Sequence, residues 1–205
     1  MAYANWANPN KTSGNGNDTV SWSASEHTGR LQRETDATFS ASNVENKTLH
    51  IIQSGKTEFV SFSSATAAVD KTGGTLTITG TSNSSKLTFA LTGTNGIGLT
   101  LPTTYTAASV TTNNGAAITG DPGATQQFNF SITFTGIGEN TTTGTKTSQI
   151  TVTPNSGSSD AVTCTITQAA GDAYLTISPS TITIPAAGTP AQSVTVSSNT
   201  NWTIS

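Results

Sequence analysis

The chain has 205 residues, with 43 Thr, 25 Ser and 19 Gly, only 9% charged residues and a formal net charge of −3. β-Branched Thr suits the wet face of a strand, while Ser and Gly suit turns, so the composition predicts an all-β protein. With eight Lys and Arg in total and no long apolar run, the sequence offers neither a basic stripe for nucleic acid nor a membrane span.

Alternating apolar and polar residues predict strands from end to end. The first run, residues 19–24, sets Val20 and Trp22 on one face. Runs at 35–40, 48–53, 59–62, 74–79 and 86–91 follow. The clearest is 127–134, where Phe128, Phe130, Ile132 and Phe134 all point one way. Runs at 149–153, 161–167, 174–177, 181–184, 193–196 and 202–204 complete the series. Trp202 and Ile204 share a face, as Val20 and Trp22 do, and both pairs are expected in cores. No segment carries a helical stripe. Half-apolar strands of this kind must bury one face against a second sheet, which predicts sandwiches. Steps such as Gly73-Gly74 and Asn114-Gly115 supply turns.

An internal repeat organises the chain. Under an ungapped shift, Gln53 falls on Gln168, Phe59 on Tyr174, Val60 on Leu175 and Phe62 on Ile177. Gly73 then falls on Gly188, Ser82 on Ser197, Leu87 on Trp202 and Phe89 on Ile204. The expected units are 1–57, a partial domain serving attachment; 58–170, a complete sandwich with an insertion at 93–123; and 172–205, the opening half of a further domain. The chain is expected to continue past Ser205, and the first unit to be completed by its own N-terminal segment, another subunit or a host surface.

The residues carry no recognisable reaction chemistry. His27 and His50 belong to no metal-ligand cluster, and Glu26, Glu34 and Asp36 are not fixed at glycosidase spacing. Asp121, before Pro122-Gly123, reads as a turn residue, and Asn15, Asn17 and Asp18 as turn residues rather than calcium ligands. Cys164 lies in a strand pattern and reads as a small buried hydrophobe. The seven Asn-x-Ser/Thr sequons, at Asn10, Asn17, Asn46, Asn83, Asn129, Asn140 and Asn201, reflect a composition rich in Asn and Thr. The expectation is therefore no catalytic residue, no metal and no cofactor. Residues 1–10 lack the basic and apolar regions of a signal peptide. The expected interface residues are Tyr3 and Trp6, aromatic anchors on the N-terminal segment, with Arg30 and Arg33, the densest basic feature.

Two stretches resemble the BACON family. Tyr174-Leu-Thr-Ile-Ser-Pro-Ser-Thr-Ile-Thr-Ile-Pro-Ala-Ala-Gly, running on to Val194-Thr-Val-Ser-Ser-Asn-Thr-Asn-Trp-Thr-Ile-Ser205, is similar to that family's opening, with Trp202 at its core Trp and Asn199 or Asn201 at its Asn. Gly14-Asn-Gly-Asn, Thr28-Gly-Arg-Leu-Gln-Arg33 and Leu49-His-Ile-Ile-Gln-Ser-Gly55 resemble its closing half. The resemblance implies tandem immunoglobulin-like β-sandwiches without enzymatic activity. Such domains occur in virion proteins of crAss-like Bacteroides phages. The chain is similar to a head fibre or capsid-decoration protein on the virion head. That implies the major capsid protein or another virion protein as partner, and a homo-oligomer, with a homotrimer favoured. The alternative is an accessory module binding carbohydrate or mucin.

Overall fold

The computed structural model describes residues 3–157, 160–188 and 190–205. Met1, the first residue of the expected attachment unit, lies outside the described residues. The chain order is β1 (Ala7–Pro9), β2 (Trp22–Ala24), β3 (Arg33–Phe39), β4 (Lys47–Gln53), β5 (Val60–Phe62), β6 (Thr66–Val69), β7 (Gly74–Ser82) and β8 (Leu87–Thr92). It continues with β9 (Thr104–Ala107), β10 (Val110–Asn113), β11 (Phe128–Ile137), β12 (Lys146–Pro154), β13 (Val162–Gln168), β14 (Leu175–Ser178) and β15 (Thr195–Ser198).

Strands β5 to β13 make a two-sheet sandwich. One sheet runs β10-β9-β11-β7-β5 and the other β6-β13-β12-β8. The chain crosses between sheets from β7 to β8 and from β11 to β12, and β6 joins β13 in parallel. This is the immunoglobulin-type strand order, with an extra strand at the β10 edge. The alternation of β11 produces it directly: Phe128, Phe130, Ile132 and Phe134 are all buried, while Asn129 and Thr133 face solvent. Ile150, Val152, Cys164 and Ile166 meet them from the other sheet, each fully buried. Every residue of the main core lies between Val60 and Ile166. Phe130 sits opposite Gly80, and a Cβ at residue 80 would collide with its ring and with the Ser61 carbonyl. Only glycine leaves room for that ring beside β7.

The 93–123 segment is more than an insertion. It contributes the β9–β10 hairpin, which extends the five-stranded sheet through Phe130 opposite Ala107. Leu99, Tyr105, Ala107 and Ile118 all enter the core. The two-residue turn of the hairpin is Ala108-Ser109, both at positive φ (47° and 65°), where Asn-Gly would be the unstrained choice.

The flanking segments form ribbons rather than sandwiches: β1 with β2, β3 with β4, and β14 with β15. The first two pack on each other, burying Trp6, Ala7 and Ala37, and Val20 and Trp22 end half-buried there. The β14–β15 ribbon faces no second sheet among the described residues. This corrects the expected core placement of Trp202 and Ile204, which are 47% and 87% exposed. The expected strands at 181–184 and 202–204 are likewise irregular, because no neighbouring backbone takes up their hydrogen bonds.

The repeat is real in register but not ungapped. Val60 stands opposite Ser82 in the sandwich, and Leu175 opposite Ser198 in the last ribbon. Leu175 is where the ungapped shift puts Val60, but the counterpart of Ser82 is Ser198, not Ser197. One residue has been added between β14 and β15.

Candidate functional site

The most organised polar structure lies where the first ribbons meet the sandwich. Arg30 stands on the loop between β2 and β3. His27 Nε2 lies 2.6 Å from the Leu31 carbonyl, and the Lys56 N–H donates to the Gly29 carbonyl at 2.8 Å. Gly55 packs so tightly on the Arg30 carbonyl that any Cβ there would clash. The loop is thereby pinned to the chain leaving β4, and the Arg30 side chain projects into the sandwich.

There the guanidinium donates to both oxygens of Asp121 at 2.7 Å and to the Asn83 carbonyl, and its Nε lies 2.9 Å from Glu58 Oε1. Glu58 is almost wholly buried and accepts further bonds from Ser84 Oγ at 3.0 Å and the Ser85 N–H at 3.3 Å. One planar cation thus joins two carboxylates and a carbonyl, a geometry that Lys cannot reproduce. Burial pushes the Asp121 carboxyl up, but hydrogen bonds from Arg30 and the Gly123 N–H outweigh it and hold the group below the usual Asp value. Asp121 also caps its own turn through that Gly123 bond, as its place before Pro122-Gly123 predicts.

Beside this cluster, Asn83 closes a backbone clamp. Its Oδ1 accepts from the Phe59 N–H at 2.8 Å, and its Nδ2 donates to the Thr57 and Ala124 carbonyls. The Ser82 hydroxyl donates to the Phe59 carbonyl at 2.7 Å. Ser198 and Asn199 repeat the arrangement. Asn199 Oδ1 accepts from the Tyr174 N–H at 3.0 Å, its Nδ2 donates to the Asp172 carbonyl at 2.8 Å, and the Ser198 hydroxyl donates to the Tyr174 carbonyl at 2.9 Å. Each clamp also touches the preceding unit. Asn83 receives Arg30 on its carbonyl, and Asn199 donates to the Thr141 carbonyl at 3.0 Å, on the loop before β12. Lys71 and Asp172 add an ion pair at this second junction. Both junctions join the loop ahead of a closing hairpin to the Ser-Asn clamp of the unit that follows.

The other expected interface residues act within the first ribbons. Trp6 is buried beneath Arg33, whose guanidinium lies 4.6 Å from the ring centroid. Arg33 also bonds Gln53 at 2.9 Å and the Ser25 carbonyl at 2.8 Å. Tyr3 packs edge-on against Trp22, with centroids 5.0 Å apart. With Val20 and Phe39 these two rings line an open groove of about 390 Å³. Lys11 and Asp18, also on the groove wall, are paired at 2.6 Å. His50 lies exposed on β4, 2.6 Å from Asp36 and 3.4 Å from Glu34 across the ribbon. The hydrogen bond to Asp36 raises its pKa, against a smaller opposing effect of desolvation.

Among the described residues no group of three or more His, Cys, Asp or Glu is arranged to hold a metal, and no helix is long and apolar enough to cross a membrane. Cys164 is a buried free thiol, its pKa raised by desolvation. Two of the seven sequon asparagines, Asn83 and Asn140, are buried structural clamps, so those motifs report folding rather than glycosylation. Sequence reasoning missed Glu58, Asn83 and the second duty of Asp121. The one available signal was a lone acidic residue at 58 beside a strand start.

No protein-family model matches the chain, and no curated protein matches it. Among solved structures it is similar to zebrafish RET cadherin-like domains 1 to 4, at 12% identity and a TM-score of 0.38, over 74% of this chain and 37% of that one. The chain therefore spans under two-fifths of that structure's length.

Proposed function

We propose that this chain is a non-enzymatic structural protein in which β units, a sandwich and the ribbons that flank it, are docked end to end into a stiff projecting array. The observation that carries this reading is the recurrence of one junction design. Arg30 reaches the Ser82-Asn83 clamp of the sandwich, and Thr141 meets the Ser198-Asn199 clamp of the next unit. Protein side chains that fix the angle between units serve a spacer or a display element, not a flexible tether. The two junctions lie at opposite ends of β7, whose nine residues span roughly 30 Å, so the units follow one another along a line.

The finer reading places the array on a phage head, as a fibre or decoration protein of the virion surface held by the first unit. It rests on the resemblance of residues 14–55 and 174–205 to BACON-type domains of crAss-like phage proteins. Its partners are the major capsid protein or another virion protein, in a homo-oligomer. Negative-stain images of particles made with and without the protein test it: loss of surface projections is expected, and unchanged particle surfaces would refute it.

The groove of Tyr3, Trp22 and Phe39 favours a second reading, binding of a carbohydrate by aromatic contacts. A glycan array probed with the whole chain, with Trp22→Ala as control, decides it. Absence of binding to any glycan removes this reading and leaves the structural one intact.

A further inference from the structure

The two junctions share a clamp but differ in what locks it. Under the shift that takes Gln53 to Gln168, Thr57 falls on Asp172. The carbonyls of these two residues accept the same bond, from Asn83 at the first junction and from Asn199 at the second. Arg30 and Glu58, by contrast, fall on Thr145 and Ala173. The second junction therefore has neither the planar cation nor the buried carboxylate of the first, a difference of residue type at equivalent places. What stands there instead is Lys71, on the turn after β6, paired with Asp172. The remaining links are the Asn199 bond to Thr141 and the Gly171 N–H, which donates to the Thr142 carbonyl at 2.7 Å.

The two locks open at different costs. Drawing Arg30 away leaves the Glu58 carboxylate inside the sandwich without its counter-charge, and burial keeps water from replacing it. Drawing Asp172 away strands nothing. Its carboxylate already lies in solvent, and its counterpart Thr57 is exposed at the first junction as well. Lys71 is half-exposed, and the charges of Asp70 and Glu139 on the sandwich attract it too. An ion pair open to water contributes little and is screened by salt, whereas a buried one is screened much less.

We propose that the second junction is a salt-released hinge, held at low ionic strength by Lys71 and Asp172 and freed as salt screens them. The first junction stays locked under the same conditions through Arg30 and Glu58. The array is thus stiff from the first ribbons through the sandwich and swivels beyond it. This rests on the reading of the chain as a docked array, and it is independent of the virion reading.

The test is pulsed EPR on the full chain at about 0.01 M and about 1 M NaCl, where the Debye length falls from about 30 Å to about 3 Å. Spin labels on Thr48→Cys and Thr106→Cys span the first junction, and labels on Thr106→Cys and Thr176→Cys span the second; all three positions are exposed strand residues, and Cys164 is fully buried. In high salt the 106–176 distance distribution is expected to become roughly twice as wide, while the 48–106 distribution keeps its width. Asp172→Ala is expected to give the wide 106–176 distribution already in low salt, with no further response. Narrow distributions for both pairs at either salt would overturn the hinge and leave the array standing, and a salt response that survives Asp172→Ala would overturn it as well. Wide distributions for both pairs in low salt would remove the array reading together with the hinge.

Discussion

Arg30 and Asp121 are separated by most of a domain in sequence, yet the guanidinium meets both carboxylate oxygens at 2.7 Å. Around that fork the first unit is locked to the sandwich, and Glu58, almost fully buried, depends on the same cation for its neutralisation. Arg30→Ala leaves that carboxylate buried without its counter-charge. The expected loss is about 3 kcal/mol of sandwich stability, with Arg30→Lys recovering only part of it. Urea unfolding of the whole chain followed by far-UV circular dichroism, which reports the β-sandwich itself, measures both.

The same cluster makes the junction sensitive to acid. Asp121 titrates below its unfolded value of about 3.9. Its stabilisation is therefore fully present above that value and is lost as pH falls through the depressed folded pKa. Asp121→Asn is expected to remove this portion of the acid dependence while lowering stability at neutral pH. Thermal melts from pH 7 down to pH 2.5 on both proteins give the comparison.

His50 works in the opposite sense. Its folded pKa is raised above 6.5 by Asp36, so the ribbon is most stable below 6.5 and loses that contribution as pH rises through the folded value. Both groups are exposed, and the effect is confined to β3 and β4. An NMR titration of the His50 ring should give a pKa above the ordinary histidine value, and Asp36→Asn should bring it down.

The two clamps differ in burial and so in consequence. Asn83→Ala removes three side-chain hydrogen bonds to backbone groups, one of them fully buried, at an expected cost of about 2–3 kcal/mol. Asn199→Ala, on the exposed ribbon, is expected to leave the main unfolding transition within about 0.5 kcal/mol of the parent. It should instead speed amide exchange at Tyr174, whose N–H it caps. Denaturant unfolding and hydrogen exchange separate the two.

The β9–β10 turn carries strain that glycine relieves. Ser109→Gly, at a φ of 65° on an exposed turn, is expected to raise stability by about 1 kcal/mol, readable as a shift in the urea midpoint.

Much of this fold was written in period-2 alternation. The four apolar residues of β11, from Phe128 to Phe134, are all core residues because a strand with one buried face has no other way to place them. The β9–β10 hairpin escaped notice because Thr104, Thr106, Thr111 and Thr112 blur the contrast between faces, leaving Tyr105 and Ala107 as isolated hints. The first strand, Ala7-Asn8-Pro9, offers no β-forming pattern; its backbone pairing to β2 supplies the stability instead. Trp202 looked like a core residue because its spacing is that of one, but spacing does not state whether a facing sheet is present. The Arg30 cluster was illegible for a different reason. Its partners at 58, 83 and 121 lie on three separate turns, and only the folded sandwich gathers them.

Residual dipolar couplings on the full chain, measured for amides around Ala37 in β3 and around Ile132 in β11, test the docked array most directly. A single alignment tensor fitting both sets, which divides into two on Arg30→Ala, is the result expected. Two independent tensors in the unmodified protein would contradict it.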